Sequence, residues 1–171
     1  MPSPTLIIFS GLSATGKTTI ARELARRLGA TYLRIDSIEQ VLRESEAVTQ
    51  PINELGYCVA YALAEENLHL GNTVVADSVN PLAITRDAWL NVAHRAQVRP
   101  VEIEIQCSDA IQHRRRVEER TTDIPGLILP TWDDVTSREY HPWDREHLVL
   151  DTATCSVEEC VSLIVKRLRQ L

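Results

Sequence analysis

The sequence predicts a single α/β domain built around a parallel β-sheet. Short apolar runs alternate with amphipathic segments from the first residues to the last, which is the pattern of repeated strand–helix units. The 171 residues contain no internal repeat, low-complexity tract or linker, so we expect one domain over residues 1–171. A glycine-containing loop at residues 11–18 separates the first apolar run from the first amphipathic segment.

Five short segments have the character of β-strands. The first is a continuous apolar run that stops at Ser10 and Gly11, as expected for a strand buried on both faces. The fourth alternates apolar and acidic residues along its length. The predicted strands are Leu6–Phe9, Thr31–Ile35, Thr73–Ala76, Val101–Ile105 and His147–Leu150.

Helical periodicity fills the intervals between these strands. The first helix ends at Gly29, and the last one opens with Ser156 and Glu159, the spacing of a capping box. Residues 121–132 lack any period and are predicted to form a loop or mobile flap. The other predicted helices are Lys17–Leu28, a stretch from Ile38 that Pro51 interrupts, Glu54–Leu70, 83–96, Ala110–Glu119 and Asp133–Tyr140.

Composition limits the classes of partner. The net charge of −6 argues against a broad basic face for a nucleic-acid backbone, although a local basic pocket for one nucleotide stays compatible with it. No apolar run approaches the length of a membrane helix, and the N-terminus lacks a secretory pattern. We therefore expect a cytoplasmic protein, a monomer or a homodimer, with no membrane partner.

The loop at residues 11–18 carries the strongest functional signal. It matches the phosphate-binding pattern G-x-x-x-x-G-K-[ST] and lies directly between a strand and a helix, as that motif requires. Backbone N–H groups and the helix dipole attract phosphates there, while Lys17 supplies a cation and Thr18 a hydroxyl ligand for magnesium. The predicted nucleotide-binding residues are Gly11, Ser13, Ala14, Thr15, Gly16, Lys17, Thr18 and Thr19.

Two aspartates follow neighbouring strands. Asp36 ends the second predicted strand and Asp77 ends the third, so both should lie at the carboxyl edge beside the loop. Asp77 has the position of an acid that holds magnesium with Thr18. Asp36 has the position of a group that orients or deprotonates an acceptor hydroxyl. Either could instead cap the helix that follows it.

Two arginines before the flap are the remaining candidates. Arg116 and Arg120 are four residues apart, so on a helix they share a face. Their guanidinium groups would stabilise negative charge on a transferring phosphoryl group. In the alternative interpretation, they belong to a solvated helix on which Glu118 and Glu119 balance their charge.

Taken with these motifs, the whole chain resembles the small P-loop kinases related to adenylate kinase, gluconate kinase and chloramphenicol phosphotransferase. Asp36 resembles the acceptor-binding acid of the last two. The segment Val74–Asn80 followed by Arg86 resembles polynucleotide-kinase-like predicted kinases, with Val79 replacing threonine. The arginines at 116 and 120 resemble the lid arginines of the superfamily.

The resemblance implies a three-layer P-loop NTPase fold, with a five-stranded parallel sheet of order 2-3-1-4-5 and a short lid at about residues 116–135. It also implies ATP and Mg²⁺ as cofactors, with the adenine near Arg116 and the turn 152–154. One departure concerns the substrate-binding segment 37–70, where Arg43 is the only arginine. The arginine pattern of nucleoside monophosphate kinases is therefore missing.

The resulting hypothesis is a kinase that moves the γ-phosphate of ATP to a hydroxyl of a small molecule. Lys17, Asp36, Arg116 and Arg120 are its predicted catalytic residues, and Thr18 with Asp77 its predicted magnesium ligands. A polynucleotide or RNA 5′-hydroxyl kinase is the second hypothesis, which the acidic balance disfavours. A non-catalytic nucleotide-dependent switch or ATPase is the third.

Overall fold

The computed structural model describes residues 3–52 and 54–170 of the chain. Strands and helices alternate as the sequence predicts. In chain order they are β1 (Thr5–Ser10), α1 (Lys17–Leu28), β2 (Thr31–Arg34), α2 (Ile35–Glu44), α3 (Leu55–His69), β3 (Val74–Asp77), α4 (Ala83–Arg95), β4 (Arg99–Gln106), α5 (Ala110–Glu119), α6 (Trp132–Thr136), β5 (Leu148–Asp151) and α7 (Val157–Arg169).

The five strands form one parallel sheet in the order β2-β3-β1-β4-β5, which confirms the predicted fold. In the register of the sheet, Phe9 of β1 lies beside Asp77 of β3, and Arg34 of β2 lies on the other side of Asp77. The carboxyl ends of β1, β2 and β3 therefore meet at one edge, where P-loop folds bind their ligands.

The central strand β1 packs against helices on both sides. Its side chains alternate between the faces of the sheet, because successive residues of a strand point in opposite directions. Ile7 and Phe9 contribute to the core beneath α1 and α7, whereas Leu6 and Ile8 contribute to the core beneath α3 and α4. This arrangement produces the three predicted layers and explains why β1 is apolar at successive positions.

Local signals set the ends of several helices. α1 ends at Gly29, whose φ of 60° is left-handed and whose N–H donates to the carbonyl of Ala25. α7 begins with the predicted capping box, in which Ser156 and Glu159 bond to each other's backbone N–H. Within the described residues, no helix combines the length and apolar character needed to cross a bilayer.

The predicted boundaries of α2 and α6 were wrong, and α2 also ends at Glu44, well before Pro51. α2 begins at Ile35 rather than Ile38, so Asp36 lies in the first turn of a helix and not at the end of a strand. α6 is shorter than the predicted 133–140 and ends at Thr136. The chain beyond it is held in another direction, because the N–H of His141 donates to the carbonyl of Pro81 at 2.8 Å.

Candidate active site

The P-loop, residues 11–18, has a backbone that only certain residues tolerate. Gly11 has φ 129°, and a Cβ at this position would lie 2.2 Å from the carbonyl oxygen of Ile105. Gly16 has φ 100° and immediately precedes α1. Among the described residues, the N–H groups of residues 13–16 donate to no protein acceptor. They are therefore available to an anion, at the positive end of the α1 dipole.

Lys17 is buried at the bottom of this loop, with 6% of its surface exposed. Its Nζ donates a hydrogen bond of 2.8 Å to the carbonyl of Leu12. Burial lowers the pKa of the Lys17 ammonium to about 8, although the charges of Asp77 and Asp36 oppose this shift. A poorly solvated ammonium attracts a polyphosphate more strongly than a hydrated ammonium does, because little water screens its charge.

This depressed pKa predicts that nucleotide binding takes up a proton above pH 8. Without ligand, Lys17 is half deprotonated at about pH 8, whereas an ordinary lysine keeps its proton up to about pH 10.5, and a bound polyphosphate would restore the charge. We therefore expect ATP affinity to fall as the pH rises above 8, with a limiting slope of about tenfold per pH unit. Calorimetry in two buffers of different ionisation enthalpy measures the uptake. Lys17→Arg stays charged throughout, so an undiminished uptake in that variant would contradict the assignment.

Thr18 and Asp77 are the predicted magnesium ligands. Asp77 is 3% exposed, and its Oδ2 accepts a hydrogen bond of 2.7 Å from the hydroxyl of Tyr32. Burial raises the pKa of Tyr32, which keeps this hydroxyl a donor. Thr18 lines the cavity beside the P-loop together with Asp77. A buried carboxylate and a hydroxyl are hard oxygen donors, so the residues fit Mg²⁺ whose other ligands are phosphates and water.

Sequence analysis did not identify Tyr32 as a partner of Asp77. The contact between them predicts that removing the Tyr32 hydroxyl destabilises the folded protein. In Tyr32→Phe, a buried carboxylate oxygen loses its donor, so we expect the free energy of unfolding to fall by about 1–3 kcal/mol. Denaturant unfolding without ligand measures this. The control is Tyr61→Phe, because the Tyr61 hydroxyl donates to the neutral carbonyl of Thr85 at 3.2 Å. An equal or larger loss in the control would show that the charge of Asp77 is not the cause.

Two cavities meet at the edge of the sheet. The P-loop cavity, of about 810 Å³, lies against the loop and the start of α1. The α2 cleft, of about 1230 Å³, lies between α2 and residues 126–139. The residues that line both are Ser13, Asp36, Val79 and Arg120. The P-loop residues that line the P-loop cavity are Ser13, Ala14, Gly16, Lys17 and Thr18, with Thr19 beside them.

The structure separates the two predicted arginines. Arg120 stands at the junction of the cavities, where burial lowers its pKa and the charge of Asp36 opposes that effect. Arg116 lines only the P-loop cavity and donates to the hydroxyl of Thr152 at 2.7 Å and to its carbonyl at 3.0 Å. The Thr152 hydroxyl lies 2.7 Å from the carbonyl of Thr15. Arg116 thus ties the turn after β5 to the P-loop.

The flap, residues 121–131, is joined to β2 and α1 beside the P-loop cavity by an ion-pair cluster that the sequence did not reveal. Asp123 of the flap bonds to Arg34 of β2 at 2.8 Å and to Arg22 of α1. Hydrogen bonds from both arginines hold the pKa of the Asp123 carboxyl well below its usual range. Its side chain is 52% exposed, so the cluster is a surface contact that can open.

We expect Asp123→Asn to loosen the flap. Exposed ion pairs contribute about 0.2–1 kcal/mol each, so the loss of two predicts about a two- to thirtyfold faster limited proteolysis within the flap. Asp133→Asn is the matched control, because Asp133 is exposed on α6 and pairs with no arginine in the described structure. Cleavage at the wild-type rate in Asp123→Asn would refute the role of the cluster.

Residues that supported the likeness to polynucleotide-kinase-like proteins have partners inside the protein. Asn80 is fully buried, and its Nδ2 donates to the hydroxyl of Ser10 at 3.0 Å. Arg86 is 1% exposed, donates to the carbonyl of His141 at 2.8 Å and lies 4.4 Å from the ring centre of Trp143. The first contact joins the segment after β3 to the end of β1, and the second joins α4 to the segment after α6, so both have a structural role.

The sheet order and the loop between β1 and α1 define the fold of a P-loop kinase. A family model described as an AAA domain matches residues 6–128, and the chain belongs to this family. It is 28% identical over 142 residues to a cytidylate kinase of Nocardia farcinica (strain IFM 10152), a match that covers 77% of this chain. The match spans 60% of the length of that relative.

Solved structures share the fold. The Mycobacterium tuberculosis APS kinase CysC in complex with AMPPNP and APS has a TM-score of 0.70 and 20% identity, with all of both chains covered. A gluconokinase from Sinorhizobium meliloti 1021 has a TM-score of 0.61 and 16% identity, over 99% of this chain and 94% of the other. At these identities, the likeness concerns the architecture.

Proposed function

We propose that the protein is an ATP-dependent kinase that phosphorylates a hydroxyl group of a small molecule. The observation that supports this most directly is the junction of the two cavities, where Asp36 and Arg120 face both. One cavity contains the P-loop, and the other is a cleft large enough for a second substrate. A phosphoryl group bound at the P-loop would enter the junction and meet an acceptor from the other side.

In this proposal, each residue has a separate role in an in-line phosphoryl transfer. The P-loop N–H groups and Lys17 bind the β- and γ-phosphates of ATP. Asp36 orients the acceptor hydroxyl and takes its proton as the new O–P bond forms and the bond between the β- and γ-phosphates breaks, which releases ADP. Arg120 stabilises the charge on the transferring group. Bound Mg²⁺, which Thr18 and Asp77 would hold, neutralises phosphate charge.

Arg116 has a supporting role in this proposal. Its bonds to Thr152 fix the turn after β5 beside the P-loop, where the base of ATP would lie. We retain it as a candidate for contact with the nucleotide. Asp123 of the flap lines the P-loop cavity and pairs with Arg34, so the flap would limit the access of water to the transferring group.

The test is a screen with γ-labelled ATP and magnesium against hydroxyl compounds, CMP and an oligonucleotide with a 5′-hydroxyl. Label on a small hydroxyl compound supports the proposal. Label on the oligonucleotide would favour a polynucleotide kinase. Label on CMP would favour the activity for which the cytidylate kinase relative is named. Nucleotide binding with release of free phosphate, and no labelled acceptor, would favour an ATPase or switch.

A further inference from the structure

The α2 cleft has an acidic wall. Four carboxylates from α2 and the start of α3 line it, and the one arginine from these elements that lines it is Arg43. Arg43 is already paired, because its guanidinium bonds to Glu39 at 2.8 Å. The acidic residues of this wall are Asp36, Glu39, Glu44 and Glu54. After Arg43 and Glu39 neutralise each other, the wall carries a net negative charge.

The opposite side of the cleft does not compensate for this charge. Arg120 stands at the junction, where it serves the transferring phosphoryl group, and Arg138 is the other arginine on that side. Arg138 is accompanied by Asp134, which bonds to Thr131, and by Glu139, which bonds to His141 at 2.9 Å. The cleft away from the junction is thus poorly suited to an acceptor with an anionic group.

A hydrogen bond orients the exposed side chain of Glu44 at this wall. Its Oε1 accepts a hydrogen bond of 2.8 Å from the amide of Gln40, which is 7% exposed. The pair lies directly against Gly126 of the flap, where a Cβ would be 2.4 Å from Oε1 of Glu44. The second carboxylate oxygen of Glu44 has no protein donor among the described residues. A carboxylate with a free oxygen can accept a hydrogen bond from a cation.

The flap contributes an apolar surface to the same cleft. Leu127, Ile128, Leu129 and Pro130 are consecutive lining residues, and Ile128 is 91% exposed. Val79, Pro81 and Leu82 line the cleft as well. A cleft with apolar walls and a few placed charges is typical of a small-molecule site.

We infer that the acceptor is a hydroxyl compound that carries a protonated amine and an apolar portion. This inference rests on the proposed kinase function and specifies the acceptor of the same site. The hydroxyl would lie at Asp36, the ammonium group at the acidic wall near Glu44, and the apolar portion against the flap. An acceptor bearing phosphate, sulfate or carboxylate would place its charge beside unneutralised carboxylates.

The test compares acceptors with a charged amine, a neutralised amine or an anionic group. Amino sugars and aryl amino alcohols are assayed with γ-labelled ATP beside their N-acetylated forms, with gluconate and CMP as anionic acceptors. We expect kcat/KM for the amines to exceed that of the N-acetylated forms by about tenfold or more, since a charge-assisted bond is lost on acetylation. A preference for the neutral or anionic members would overturn the inference while leaving a kinase. Nucleotide binding without label on any member would overturn both proposals.

Substitutions of the wall carboxylates test which residue recognises the amine. Glu44→Gln should raise KM for the amine about tenfold and leave KM for ATP unchanged, because only the charge at the acceptor wall is removed. Glu54→Gln tests the second unpaired carboxylate in the same way. Glu46→Gln is the matched control, since Glu46 is exposed near the same helix and does not line the cleft. Equal effects of Glu44→Gln and Glu46→Gln would show that general charge, and not this wall, selects the amine.

Discussion

Lys17→Ala is expected to reduce phosphoryl transfer by about 10³-fold or more, because in the proposed mechanism it removes the lysine of the P-loop that would bind the phosphates. The effect should exceed that of a surface lysine by far. The buried ammonium has little solvation to lose when a polyphosphate arrives, so its whole interaction is available to the ligand. Single-turnover transfer from γ-labelled ATP measures the loss.

The folded state should tolerate this substitution. The ammonium makes a single hydrogen bond, to the carbonyl of Leu12. Its depressed pKa indicates that burial destabilises the charged form by more than the neighbouring carboxylates stabilise it. Lys166→Ala is the matched control, because Lys166 is the other lysine of the chain and lies exposed on α7. Comparable activity losses in both variants, or collapse of Lys17→Ala in the absence of nucleotide, would contradict the proposed role.

The fold was predictable because its signals are local. β1 is buried on both faces and is therefore apolar at successive positions, and α1 and α7 bury residues at helical spacing. The P-loop follows from a motif and from its position between strand and helix. The sheet order came from the likeness to a family, since periodicity alone does not determine which strands are neighbours.

The contacts that position the site were not predictable, because they join residues far apart in the chain. Tyr32 and Asp77 are brought together by the pairing of β2 with β3, and Asp123 meets Arg34 only when the flap folds back. His113 of α5 similarly lies 2.8 Å from the carbonyl of Ser13 in the P-loop. Sequence periodicity indicates which face of an element is buried, but not what covers it.

Arg116 and Arg120 show a second limit of spacing arguments. Residues four apart share a face only while the chain remains helical. α5 ends at Glu119, and Arg120 has φ −68° and ψ 145°, which are extended values. Its side chain therefore leaves the helix surface and reaches the junction of the cavities, whereas Arg116 stays beside Thr152.

The start of α6 is set by a capping box at Thr131 and Asp134, which sequence analysis did not identify.

Asp36→Asn is expected to lower kcat for the acceptor by about 10²–10⁴-fold, because an amide cannot take the proton of the acceptor hydroxyl. The substitution keeps the shape of the side chain in the first turn of α2, and its only ion pair in the described structure is a 4.0 Å contact with Arg34. The affinity for ATP should therefore change little. Steady-state kinetics with the acceptor, and nucleotide binding measured separately, give the two quantities.

The division between kcat and KM distinguishes two roles for this residue. A loss confined to kcat indicates a base, whereas a raised KM with nearly normal kcat indicates a carboxylate that only positions the acceptor. Asp144→Asn provides a control for the loss of one negative charge, because its exposed side chain lines neither cavity. Wild-type turnover in Asp36→Asn would remove Asp36 from the mechanism, and the junction would then have to activate the acceptor through geometry and Arg120 alone.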